Sequence, residues 1–150
     1  MTGTNINGKA EKFKDFVIAN NMKFFSAEET GDELNSVFFR TDISVNGQKL
    51  PLLLSTDDSI YTMIKIRIAP HALKEHNKER LLEYMNKLNA SYKVFKYSAN
   101  DGGDIMLDIS LPCGADFFDV RVIMALIDLA IQHLGEAYPE FMKIVWADKA

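Results

Sequence analysis

The chain has 150 residues, 47% of them hydrophobic and 25% charged, which is ordinary single-domain composition and excludes a disordered polymer. Its formal net charge of -4, with no lysine- or arginine-rich run, excludes broad affinity for nucleic-acid backbones. One cysteine, Cys113, rules out an internal disulfide and fits a reducing, cytoplasmic compartment.

Residues 1–8 (MTGTNING) are polar, carry no apolar signal core and read as a loose tail before a single domain over 9–150. From Lys9 to Asn20, Phe13, Phe16 and Val17 fall at helical spacing. Met22 to Asp32 reads as a connection, anchored by Phe24 and Phe25. Three strands follow. Ser36–Val45 alternates, with Val37, Phe39, Thr41, Ile43 and Val45 on one side. Asn46-Gly47 is a two-residue turn signal, because a type I′ turn needs positive φ at both central positions. Leu50, Leu52 and Leu54 then mark the second strand, and Ile60, Thr62, Ile64, Ile66 and Ile68 one face of the third, which Pro70 ends.

A helix is predicted over Ala72–Asn89, with Leu81, Met85 and Leu88 as its apolar stripe. Tyr92–Ser98 and Asp104–Leu111 form a hairpin around Asn100-Asp101-Gly102-Gly103. A third helix begins near Asp116 as N-cap, and its stripe includes Phe117, Val120, Ile123, Met124, Ile127, Ile131 and Leu134. Its apolar stretch is interrupted by Asp128 and is too short and amphipathic to span a membrane. Gly135 ends or bends this helix, and Pro139 opens a short last one with Phe141, Met142, Val145 and Trp146. The order α-β-β-β-α-β-β-α-α predicts an α+β fold, two layers, with helices packed on one face of an antiparallel sheet.

This order resembles the type III secretion chaperone-like fold, α-β(3)-α-β(2)-α. The C-terminal run ALIDLAIQHLGEAYPEFMKIVWADKA, with Tyr138, Pro139, Phe141, Met142, Val145 and Trp146, is similar to that of the YbjN group of bacterial sensory-transduction regulators. The resemblance implies no catalytic set and no cofactor. Related secretion chaperones are homodimers that hold an extended partner segment on apolar patches, so a homodimer or a protein or peptide partner is what the resemblance implies here.

A search of the residues for chemistry gives little. Cys113, at the start of the third helix, is a candidate nucleophile, but Asp116 and Asp119 oppose a thiolate, and a partly buried structural cysteine is the simpler reading. His71 and His76 are five apart and do not share the i, i+4 face of a helical metal pair, and His133 stands alone, so no metal site is expected. Asp101–Asp104 and Asp57-Asp58 read as turns, and Glu28-Glu29 as a solvated connection. The second face of the strands is more informative. Phe38, Leu53, Tyr61 and Met63, joined by Phe95 or Tyr97 and by Met106, interleave with Arg40, Asp42, Lys65 and Arg67. A sheet covered on one side should be more polar than this on the other, so these residues are the candidate partner or dimer interface. The alternatives are a curled sheet whose patch is covered by Phe24, Phe25 or the tail, a regulatory domain sensing a small apolar ligand between sheet and helices, and a cysteine-dependent enzyme needing His71 or another base beside Cys113.

Overall fold

The computed structural model describes residues 7–147. Helix α1 (Gly8–Ala19) is followed by strands β1 (Ser26–Glu29), β2 (Val37–Val45), β3 (Gln48–Thr56) and β4 (Tyr61–Ala69). Helix α2 (Lys78–Ser91), strands β5 (Lys96–Ala99) and β6 (Ile105–Pro112), a 3-10 turn (Ala115–Phe117) and helix α3 (Val120–Val145) complete the chain. The six strands form one antiparallel sheet in the order β1-β2-β3-β4-β6-β5. The fold is α+β, as the period-2 and period-3.6 patterns predict.

Alternation decides which face is covered. Val37, Phe39, Ile43 and Val45 of β2, Leu50, Leu52 and Leu54 of β3, and Thr62, Ile64, Ile66 and Ile68 of β4 are buried. They share one core with Phe13 of α1, Leu81, Met85 and Leu88 of α2, and Ile123, Ile127, Leu134 and Phe141 of α3. Asn46 and Gly47 have φ of +50° and +81°, the type I′ geometry that sets the β2–β3 register, with Val45 opposite Gln48.

Several elements depart from the sequence reading. Ser26–Glu29 is a strand, pairing with Val37–Arg40 at the sheet edge. All four residues are exposed, so backbone hydrogen bonds hold it and no alternation marks it. Residues 70–77 form a separate turn ahead of α2. There Asn77 is buried, accepting the Lys74 N–H and donating to the Ala72 carbonyl. Helix α3 is capped by Asp119, whose carboxylate accepts the Arg121 N–H, and not by Asp116. Phe117 consequently lies outside the helix, 84% exposed, and Ile60, in the turn before β4, is exposed as well.

The largest difference is at Pro139, which sits inside a single helix of 26 residues. Proline has no N–H for the carbonyl four residues back, which here is that of Gly135. The Asn46 side-chain amide donates to that carbonyl at 3.1 Å, so the turn between β2 and β3 supplies the missing bond. The helix therefore continues through a position that sequence rules treat as a break.

The loose tail expected over 1–8 does not hold for its last two residues. Residues 1–6 lie outside the described part, but Asn7 and Gly8 belong to the fold. Asn7 is buried. Its carbonyl oxygen accepts the Ala10 N–H as N-cap, and its amide donates to the Asn35 carbonyl at 3.0 Å and to Thr56 Oγ1 at 3.2 Å. Two residues on, Lys9 is 1% exposed and its ammonium donates to the carbonyls of Ser59 (2.7 Å) and Tyr61 (3.0 Å). The polar letters that make this segment look like a tail are what tie α1 to the sheet.

A third polar tie joins α3 to the far end of the sheet. The Tyr97 hydroxyl lies 2.7 Å from His133 Nε2, and the imidazole stacks on Phe95 with ring centroids 4.4 Å apart. Burial lowers the His133 pKa, against a smaller opposing effect of Glu136, while Lys87 and Glu140 line the same surface groove. Neutral His133 accepts from the hydroxyl, and protonation removes that acceptor.

Two predictions follow from these ties. Replacing Asn7 by Ala removes a cap and two buried hydrogen bonds, and is expected to lower unfolding free energy by about 2 kcal/mol. Urea denaturation should show a lower midpoint at unchanged m-value. The native state also holds His133 neutral at a pH where the unfolded chain already binds a proton. Stability is thus fully present above about pH 6.5 and falls as pH drops through the unfolded towards the folded pKa. In His133→Gln, which keeps an acceptor for Tyr97, urea midpoints measured from pH 7.5 to 5 should fall less steeply than in the parent.

Candidate functional site

Among the described residues, no helix lies over the face of the sheet away from α1, α2 and α3. On it, Phe38, Leu53, Met63, Lys65, Met106 and Asp108 are half-buried, and Arg40, Asp42, Tyr61 and Arg67 are exposed. Register places these in rows across the strands. One row runs Glu28, Phe38, Ser55, Met63, Ser110. The next runs Ser26, Arg40, Leu53, Lys65, Asp108, Lys96. Across the remaining width Asp42 faces Pro51, and Arg67 faces Met106.

Within the rows the side chains partner one another. Arg40 Nη2 lies 3.3 Å from Glu28 Oε1, and its guanidinium sits 5.8 Å from the centroid of the Phe38 ring. The Ser110 hydroxyl donates to the Met63 sulfur at 3.0 Å. Asp108 is the exception. It lies across from Lys65 on one side and Lys96 on the other, yet one of its carboxylate oxygens is buried with no hydrogen-bond partner among the described residues. A groove of about 620 Å³ crosses this face between Phe24 and Met106, with Arg40, Lys65, Arg67, Asp42 and Asp104 along it. Cations and anions thus alternate over an apolar floor.

Five of the seven residues expected on this face are there: Phe38, Leu53, Met63 and Met106 across the middle, and Tyr61 at the rim opposite Pro112. Phe95 and Tyr97 are not. Both are buried on the helix side. Tyr97 pairs with Leu107, an inward position, so it is Lys96 and Ser98 of β5 that face outward. The apolar character of this strand drew attention to the wrong parity, since Phe95 and Tyr97 serve the core around α2 and α3. Of the two residues expected to anchor the connection or to cover this patch, Phe24 lies on the open side. Its neighbour Phe25 packs edge-on against Phe13, ring centroids 5.1 Å apart, while Phe24 borders the groove. The pair stands immediately before a strand, where adjacent side chains point to opposite faces.

The residues considered for chemistry are dispersed. Cys113 is half-buried, and its sulfur lies 3.8 Å from the Thr62 hydroxyl. It follows Pro112, which pairs with Tyr61 at the start of β4, whereas His71 follows the end of that strand at Ala69. Eight residues of extended chain separate the two ends by roughly 26 Å, so His71 is no base for this thiol. His71 instead belongs to the β5–β6 hairpin: its N–H donates to Asp104 Oδ1 at 2.7 Å, and its Nδ1 lies 3.0 Å from the Gly102 carbonyl. That N–H, the side chain of Asn100 and the nearby imidazole hold the Asp104 carboxyl below its usual range. Asp57 accepts the Ser59 N–H as a turn residue, and Glu28 pairs with Arg40. Among the described residues, no group of three or more His, Cys, Asp or Glu is placed to hold a metal ion, and no helix is long and apolar enough to cross a membrane.

Comparison with known proteins identifies one family. No curated protein matches the chain. The profile of one family, YbjN, described as "Putative bacterial sensory transduction regulator", matches residues 54–143. That span runs from the end of β3 through β4, α2, the β5–β6 hairpin and most of α3, and it includes Pro139 and the helix that continues past it. Since the match covers more than half of the 150 residues, the chain belongs to the YbjN family of bacterial sensory-transduction regulators.

Proposed function

We propose that this protein is a non-catalytic regulatory module that acts by binding protein through the open face of its sheet, and that its first partner there is a second copy of the chain. The observation that carries this reading is the one-sided covering. Phe38, Leu53, Met63 and Met106 stay half-buried on a face that no helix covers, beside exposed Tyr61 and Phe24. The family description supports a regulatory role and brings no catalytic residues.

Size and charge favour a second copy as the occupant. Six strands at about 4.8 Å spacing, the longest about 30 Å long, give a footprint of roughly 700 Å². That approaches the roughly 800 Å² per partner of a standard stable interface. The face carries both signs, Arg40, Lys65 and Arg67 against Asp42 and Asp108. A two-fold axis brings one surface against itself, so a patch with both signs can pair its cations with its own anions across the axis. A neighbouring cation would also satisfy the unpartnered Asp108 oxygen. The chaperone-like alternative, an extended segment of another protein along the 620 Å³ groove, uses the same residues.

Light scattering on a sizing column across a concentration series tests this reading. The parent is expected at twice the 17.0 kDa chain mass. Met63→Glu places a charge in the middle of the face and should weaken association by more than about tenfold with an unchanged circular dichroism spectrum. Ile18→Glu, on the exposed side of α1, should leave association as it is. A parent chain that stays monomeric at hundreds of micromolar would overturn the dimer.

A further inference from the structure

A second concavity shares no lining residue with the groove of the open face. It lies between the turn that follows β4 and the last two turns of α3, and encloses about 660 Å³. Its helix side is apolar: Met142, Val145 and Trp146, with Ile68 of β4 beneath. Its other side carries His71, Lys74 and His76. No Asp or Glu lines it among the described residues, although the chain has 21 acidic residues against 17 Lys and Arg.

Three features make this more than a gap between elements. The volume falls in the range of about 300–1,000 Å³ typical of small-molecule sites, and so does the combination of an apolar wall with a few polar groups. The Trp146 indole is 79% exposed, which leaves a large apolar surface in water at the mouth of the groove. Finally, His71 is held in place at some cost. Its φ of +49° lies in the left-handed region, uncommon for residues other than glycine although histidine is among those that enter it, and the Asp104 carboxylate accepts its N–H. Because the Gly102 carbonyl oxygen can only accept, Nδ1 carries the hydrogen of that 3.0 Å bond, and Nε2 is the nitrogen left free. In the imidazolium form Nε2 is a donor, and Lys74 lines the same groove.

We propose that this groove binds a small amphipathic carboxylate, with its alkyl or aryl tail along Met142, Val145 and Trp146 and its carboxylate at Lys74, His71 and His76. Charge complementarity selects the anion, since the lining carries the Lys74 ammonium and, among the described residues, no carboxylate. The same complementarity rejects an amine of equal size. Ligand binding here couples the β4–α2 turn to the C-terminal end of α3, which gives a regulator of this fold a place to register a metabolite.

The chain's one tryptophan is Trp146, so intrinsic fluorescence reports on this groove directly. Decanoate, added well below any micellar concentration, is expected to change the Trp146 emission saturably with a Kd on the order of 100 µM. Decanamide, with the same tail and no charge, should bind at least tenfold more weakly. Lys74→Glu should raise the decanoate Kd more than tenfold, and Lys74→Gln, the milder change, at least threefold, with each variant's thermal unfolding confirming that it folds. Met63→Glu, on the open sheet face, should leave the titration unchanged, which separates this site from the interface proposed above. An emission that does not saturate up to several millimolar decanoate, equal binding of decanoate and decanamide, or a Kd indifferent to both Lys74 substitutions would each overturn the proposal.

Discussion

Every helix of this protein lies against the same face of one sheet, and the rest of the structure follows from that asymmetry. A six-stranded sheet has two faces, each with alternate side chains. Burying one of them demands a continuous apolar layer, which β2, β3, β4 and β6 supply with Val, Leu, Ile and Phe at every second position. It also demands a helix long enough to cross the strands. At 1.5 Å per residue, the 26 residues of α3 reach about 39 Å, so one helix can supply both Ile123 near its start and Phe141 near its end to the same core. Two short helices broken at Pro139 could not maintain one straight apolar stripe over that distance.

Hydrophobic burial gives the layers but does not place them. Placement comes from a few polar side chains that cross between elements, Asn7, Lys9 and Tyr97 buried and Asn46 exposed. Asn7 links α1 to Thr56 of β3 and to the loop before β2, and Lys9 links it to the turn before β4. Asn46 joins the β2–β3 turn to α3 at Gly135, and Tyr97 joins β5 to α3 through His133. Such groups are costly when unpaired and have narrow geometry when paired, so they select one docking of helices on sheet from many that would bury similar area.

The two candidate surfaces differ in chemistry because they arise differently. The open sheet face is a consequence of the one-sided layer, broad and shallow, with mixed charge over an apolar floor. The groove at Trp146 is local. It forms where the connection after β4 turns back on itself beside the end of α3, and its polar groups are all of one sign or neutral. A broad mixed surface suits another protein, and a narrow one with a charged end suits a small molecule.

Local patterns carried much of the fold. Strict alternation in β2, β3 and β4, the Asn46-Gly47 turn and the 81/85/88 stripe of α2 are properties of neighbouring residues, and they predicted an α+β sheet with helices on one side. The same alternation named Phe38, Leu53, Tyr61, Met63 and Met106 for the open face, because side-chain parity follows from the backbone of a strand alone. Parity failed at Phe95 and Tyr97, where a four-residue strand is too short to show its phase and only pairing with β6 sets it. What remained was decided by contacts between distant residues. Ser26–Glu29 becomes a strand because β2 offers it a partner. Asn7 and Lys9 are buried because carbonyls of residues 35, 59 and 61 receive them. Helix α3 passes Pro139 because Asn46, 89 residues before Gly135, replaces the hydrogen bond that proline cannot make. A sequence specifies which groups will need partners, and only the tertiary structure brings those partners within reach.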